Sequence, residues 1–113
     1  MTGVLHGSCH CSAITLTIAH APETVSECNC SICRRIAGLW GYFDPAEVTV
    51  DGDAGGYRWG DRSLTVWHCT HCGCTTHWTA ADHHYKRMGV NMRMFAPSVL
   101  AGIPVEFTDG ARF

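Results

Sequence analysis

Apolar and polar positions alternate in short runs, and none is long enough to suggest an extended helix. Ala13-Ile14-Thr15-Leu16-Thr17-Ile18 sets apolar side chains on one face, the mark of a half-buried strand. Ala21-Pro22-Glu23 interrupts it, and Thr24-Val25-Ser26-Glu27-Cys28 resumes in extended form. Ser31 to Ala37 suits a short helical turn, with Ser31 as its cap and Gly38 as its stop. Leu39-Trp40-Gly41-Tyr42-Phe43 and Val48-Thr49-Val50 read as strands punctuated by Pro45 and Gly52. Tyr57-Arg58-Trp59 and Leu64-Thr65-Val66-Trp67-His68 follow, separated by a Gly60-Asp61 turn. Thr75 to Thr79, the Met- and Val-rich stretch Lys86 to Phe95, and Ile103 to Phe107 complete the strands, with one helical turn over Pro97 to Ala101. Asn91 and Arg93 alternate with Val90, Met92 and Met94, which predicts a shared face opposite the core. No segment sustains a 3.6-residue period. The pattern predicts a mainly β protein of antiparallel strands with few short helical turns. No linker or repeat divides it, so residues 1–113 are expected to form a single domain.

Composition raises a difficulty for that fold. Leu, Ile, Val and Phe supply only 22 of the 113 residues, thin for a globular core. A net charge of −2 and four tryptophans argue against disorder. Something else must close the fold, and the eight cysteines are the candidates. The basic residues include a single lysine, Lys86, so a polybasic surface for nucleic acid or membrane is not expected. No apolar run approaches the ~18 residues of a membrane span. Met1 to His6 lacks the basic and apolar regions of a signal peptide, which points to the reducing cytoplasm. There, thiols bind metal more often than they form disulfides.

The cysteines fall in three clusters: Cys9-His10-Cys11, Cys28-Asn29-Cys30-Ser31-Ile32-Cys33 and Cys69-Thr70-His71-Cys72-Gly73-Cys74. Close spacings let one loop present two thiolates to one tetrahedral zinc, and a structural site takes four ligands, usually two from each of two loops. Cys9, Cys11, Cys69 and Cys72 are the natural set. Such a site contributes ~10–16 kcal/mol at neutral pH, enough to make up for a thin aliphatic core. Cys28, Cys30 and Cys33 then stand as a triad. Three protein ligands with an open fourth position distinguish a reactive zinc from a structural one, whereas Cys74 or a histidine would close the site. Spacing alone leaves both open. Cys69-Thr70-His71 and Cys74-Thr75-Thr76-His77 mimic the Cys/His pairs of a Rieske centre, but they lie too close together for two opposing loops and leave Cys9, Cys11, Cys28, Cys30 and Cys33 without a role.

Taken together, the three clusters, Cys33-Arg34-Arg35-Ile36-Ala37-Gly38, Val90-Asn91-Met92-Arg93-Met94-Phe95 and Phe107-Thr108-Asp109-Gly110 resemble the glutathione-dependent formaldehyde-activating enzymes. These are also called S-(hydroxymethyl)glutathione synthases, and the family includes centromere protein V. The resemblance runs from about Gly7 to Gly110. It implies an antiparallel β-tent around a structural zinc held by Cys9, Cys11, Cys69 and Cys72. It also implies a second, catalytic zinc on Cys28, Cys30 and Cys33. The chemistry implied is that of a carbon–sulfur lyase, joining the glutathione thiol to formaldehyde. Two positions depart from the family pattern: Ser12 stands where glycine commonly follows the first C-x-C, and Cys74 is an extra thiol.

Under this reading the partners are a small thiol, glutathione or an analogue, and a small carbonyl compound. Arginine's planar fork suits the carboxylates of glutathione, and Arg34 and Arg35, directly after the triad, are the candidates for binding it. Arg93 ranks behind them; Arg58 and Arg62 fall on a turn and read as surface charge. Trp40, Tyr42 and Phe43 read as core, with a pocket wall beside the zinc as the alternative. His10, His71, His83 and His84 read as exposed polar residues and His68 and His77 as half-buried strand positions, so none is assigned to catalysis. The competing function is a non-catalytic, zinc-stabilised protein-binding module on the same fold.

Overall fold

The computed structural model describes residues 3–112. The expectation of a chain start without a signal segment rests partly on Met1 and Thr2, which lie outside the described residues. Ten strands form in order: β1 (Leu5–Ser8), β2 (Thr15–Ile18), β3 (Val25–Cys28), β4 (Trp40–Phe43), β5 (Val48–Asp51), β6 (Ala54–Tyr57), β7 (Leu64–Cys69), β8 (Thr75–Ala80), β9 (Met88–Asn91) and β10 (Val105–Thr108). Two one-turn helices, α1 (Cys33–Ile36) and α2 (Pro97–Leu100), fall after β3 and before β10. The mainly β class read from the alternation is the class observed. Among the described residues no helix is long and apolar enough to cross a membrane.

The strands make two sheets, a three-stranded one in the order β1-β2-β5 and a seven-stranded one in the order β10-β3-β4-β9-β8-β7-β6. Their pairings are antiparallel except for one. β10 lies parallel to β3, with Val105 opposite Val25 and Thr108 opposite Cys28. Alternation reports which face a strand buries and is blind to its direction, so the parallel edge was not legible from the pattern. Its consequence is local: the last strand ends beside Cys28.

The core forms where the two sheets face each other. Leu16 and Ile18 of β2 are fully buried against Val25, Phe43 and Val90. Met88, Met92 and Phe95 complete the cluster, so methionine supplies part of the volume that the aliphatic count lacks. A second buried cluster is built on Cys9, Ile14 and Cys69, with sulfur in place of hydrocarbon.

Three local expectations are corrected. Ser31 does not cap α1: the N-cap is Ile32, without a side-chain hydrogen bond. The helix ends on Ala37, which takes the left-handed conformation at φ 52° and leaves Gly38 a different role. Strand geometry does not continue through Met94, because Met92–Met94 turns into a 3-10 helix capped by the Asn91 side chain, which accepts from the Arg93 N–H. Asn91 is therefore buried, not on a polar face shared with Arg93. Its carboxamide also accepts from the Leu39 N–H and donates to the Thr75 carbonyl, linking β9 to its neighbours.

Candidate metal centres

Two groups of cysteine sulfurs converge, Cys9 with Cys11, Cys69 and Cys72, and Cys28 with Cys30 and Cys33. Within each group the sulfurs lie within 4.8 Å of one another. All eight cysteines are free thiols.

The four-cysteine group joins two hairpin tips. Cys9 and Cys11 sit between β1 and β2, where the Cys9 N–H donates to the Ile14 carbonyl at 3.0 Å. Cys72 lies between β7 and β8, where the Cys69 N–H donates to the Cys74 carbonyl at 2.9 Å. The two hairpins belong to different sheets, so the group pins one sheet to the other. Cys9 and Cys69 are almost fully buried. Ser12 adopts φ 66°, the left-handed region that glycine enters freely, which explains the strain of carrying serine there. Gly73, at φ 83°, makes the equivalent turn in the second tip, and Cys74 beyond it stays outside the group.

The donor set fits a tetrahedral metal. Zinc with sulfurs at about 2.3 Å would separate them by roughly 3.8 Å; Cys9–Cys11 and Cys11–Cys69 stand at 3.7 and 3.6 Å. Backbone donors point at the sulfurs, as thiolates require. Ile14 N–H reaches Cys9 Sγ at 3.3 Å, and the N–H groups of His71 and Cys72 reach Cys69 Sγ, each at 3.4 Å. The backbone N–H groups of Cys74 and Cys11 hold the Cys72 thiol down to about 5.

The triad is built from one short segment. Cys28 ends β3, Cys33 opens α1, and Cys30 lies between them. The Cys30 N–H donates to Cys28 Sγ and the Cys33 N–H to Cys30 Sγ, each at 3.4 Å. Burial opposes ionisation of Cys30, but hydrogen bonds from Cys33 bring that thiol below its ordinary value. Burial pushes the Cys33 thiol well up, and Cys30 adds to the effect, while the Trp40 indole works against both. Three thiols in mutual reach therefore suit a thiophilic cation, which would let all three ionise.

The C-terminal end of β10 closes one side. The Asn29 carboxamide donates to Asp109 Oδ1 at 2.9 Å and accepts from the Ala111 N–H at 2.8 Å. A Cβ on Gly110 would stand 2.6 Å from Cys28 Sγ, so only glycine fits there. Cys28 and Cys30 open onto a cavity of about 570 Å³ that Asn29, Arg34, Trp59, Thr108 and Gly110 also line. Of the two arginines expected here, Arg34 lines this cavity. Arg35 donates to the Ser31 carbonyl at 2.7 Å and lines a neighbouring groove with Tyr57 and Trp59. Arg93 donates to the Ala37 carbonyl at 2.6 Å, beside a smaller cavity touching Cys28 and Cys33. Arg58 is held by Thr65, and Arg62 lies exposed in the turn at φ 61°.

Trp40 and Phe43 are buried core, as read, and Tyr42 is half-buried. His10, His71, His83 and His84 are exposed and His68 half-buried. His77 is buried, with Nδ1 at 2.8 Å from Thr76 Oγ1, and burial lowers it to about 4. The sequence reading missed Trp59 and the closeness of Gly110 to the triad. The Tyr57-Arg58-Trp59 run signalled only a strand, and Gly110 lies 82 residues from Cys28 along the chain.

Comparison with known proteins places this geometry. Residues 4–102 match the family model described as glutathione-dependent formaldehyde-activating enzyme. A Halomonas elongata protein named "Putative glutathione-dependent formaldehyde-activating enzyme" is 40% identical over 52 residues. That match takes in 45% of this chain and spans only 31% of the relative's length. A crystal structure of a Rhodobacter sphaeroides protein superposes with a TM-score of 0.74, covering 90% of this chain and 100% of that one. At 24% identity it speaks for the fold alone. The family match spans most of the chain, and the protein belongs to the glutathione-dependent formaldehyde-activating enzyme family.

Proposed function

We propose that this protein joins a small thiol, glutathione or an analogue, to formaldehyde or a similar small carbonyl compound, acting as a zinc-dependent carbon–sulfur lyase in the direction of adduct formation. The observation that carries the reading is the contrast in ligand number and access. The triad offers three thiols beside a cavity that holds an arginine, whereas the other group offers four thiols, two of them buried.

Zinc on Cys28, Cys30 and Cys33 would supply a thiophilic fourth position at which an incoming thiol loses its proton near neutral pH. The chain's own residues do the rest. Arg34 presents a planar, permanently charged fork to a carboxylate of the thiol substrate. Trp59 bounds the cavity with an apolar ring that limits access of water to the reacting sulfur. Asn29, fixed by Asp109 and Ala111, holds the Cys28-to-Cys30 segment in place. Cys9, Cys11, Cys69 and Cys72 would hold the structural zinc. The same reading treats residues 1–113 as one domain and the protein as cytoplasmic, in keeping with eight free thiols.

The test is metal content before and after mild chelation, joined to a rate measurement of glutathione-dependent formaldehyde consumption against the uncatalysed reaction. Two zinc equivalents, one of them removable without unfolding, and a rate that follows the removable one are expected. A single equivalent inseparable from the fold, with no rate above background, would replace this reading with the binding module.

A further inference from the structure

The triad borders two cavities of different size. Cys28 and Cys30 line the one of about 570 Å³, and Cys28 and Cys33 line a second of about 180 Å³. Pockets that take a drug-sized ligand run from roughly 300 to 1,000 Å³, so a peptide thiol suits the first and only a smaller molecule suits the second. The reaction proposed above pairs a larger substrate with a smaller one. Arg34 and Arg93 line the smaller cavity against a single carboxylate, that of the exposed Glu27, and Phe107 adds an apolar wall. Arg34 lines both cavities, which leaves Arg93 as the guanidinium that belongs to the smaller one alone.

Arg93 is held from two directions. Its backbone N–H donates to Asn91 Oδ1 at 3.2 Å, and its Nε–H donates to the Ala37 carbonyl at 2.6 Å. Ala37 takes the left-handed conformation at φ 52°, which is costly for a residue with a Cβ and persists only where the surroundings fix it. Gly38, which follows, lines the same cavity, and a Cβ there would lie 2.8 Å from the Trp40 ring carbons. The two terminal nitrogens of Arg93 have no partner among the described residues. A guanidinium fixed through Nε and free at its outer nitrogens is preset for the two oxygens of a carboxylate. A plain carbonyl sets only one oxygen against that fork.

We propose that the smaller cavity is the subsite of the carbonyl substrate, and that this substrate is a small aldehyde bearing a carboxylate, which Arg93 holds. The inference rests on the reading of the protein as a thiol–carbonyl enzyme. The sulfur–carbon bond forms as the carbonyl π bond opens, the proton given up by the thiol ends on the new hydroxyl, and the carboxylate is unchanged.

The experiment uses the zinc-loaded full chain with glutathione and either glyoxylate or formaldehyde, each measured against its uncatalysed rate. The parent, Arg93→Met and Arg93→Lys are compared. Acetate, a carboxylate with no aldehyde carbon to attack, is titrated into isotope-labelled protein and followed by nuclear magnetic resonance. In the parent, the rate enhancement is larger with glyoxylate than with formaldehyde, and acetate moves the Ala37 and Gly38 amide signals saturably. Arg93→Met lowers kcat/KM for glyoxylate about 10–100-fold, mainly through KM, as for loss of a charged hydrogen bond. It leaves formaldehyde within about 3-fold, as for loss of a surface charge, and abolishes the acetate shifts. Arg93→Lys, which keeps the charge without the fork, falls between the two and decides alone if Arg93→Met does not fold. Equal losses with both aldehydes, a parent that favours formaldehyde, or no acetate shift in the parent each overturn the proposal and leave the thiol–carbonyl function standing. No rate above background with either aldehyde overturns that function and this proposal with it.

Discussion

The two cysteine groups present the same atom in opposite settings. The four-cysteine group draws its ligands from the tips of two hairpins in different sheets, with Cys11 and Cys69 separated by 58 positions along the chain. The triad draws all its ligands from the six residues between the end of β3 and the start of α1. A cation in the first group would cross-link distant chain and so contribute to folding; one in the second constrains almost nothing that β3 and α1 do not already constrain. Access follows the same division. Cys9 and Cys69 are buried, whereas the triad is half-buried and opens beside Arg34. Ligand spacing along the chain thus separates the two groups more cleanly than ligand type does.

The largest expected effect tests the fold side. If the four-cysteine group holds zinc as proposed, Cys69→Ser removes one of four ligands from a site of the kind worth ~10–16 kcal/mol, as much as a domain's whole stability. Loss of the cooperative thermal transition is expected by circular dichroism, and a variant that melts like the parent would break the contrast. Cys30→Ser is the counterpart. It should keep the thermal transition, bind one metal equivalent fewer and lose thiol-dependent activity; unfolding in this variant would make the triad structural as well.

Acid sharpens the comparison next. His77 lies on β8, next to the hairpin that carries Cys69 and Cys72, and it stays neutral down to about 4 against 6.5 for an exposed imidazole. The unfolded chain takes up this proton first as pH falls, so its contribution is fully present above pH 6.5 and is lost on the way down to about pH 4. The loss is about 3 kcal/mol. Denaturant titrations across that window should show it, and His77→Gln should flatten the slope by the same amount. The smallest effect separates two neighbours. Arg34→Ala should raise KM for glutathione about 10-fold, as for loss of one charged hydrogen bond, and Arg35→Ala should raise it less than about 3-fold. Equal effects would place both side chains on the substrate.

Much of this was legible before the fold. Thr15 to Ile18 announced a buried strand, and β2 supplies two of the most buried side chains. The triad could be read because its spacing is local, and the four-cysteine group because each hairpin tip offers a pair. Two features were not legible. The roles of Arg34 and Arg35 diverge because successive helical side chains point about 100° apart. The breakdown of alternation at Asn91 reflects its buried carboxamide, whose partners lie on other segments.

The sequence by itself determined the strand-rich class, the grouping of the thiols and the family, because periodicity and spacing are properties of neighbouring residues. The tertiary structure alone decided which face of the triad is open. The approach of Gly110 to Cys28 depends on the parallel edge strand β10. That contact joins residues far apart in the chain, and no local pattern encodes their distance.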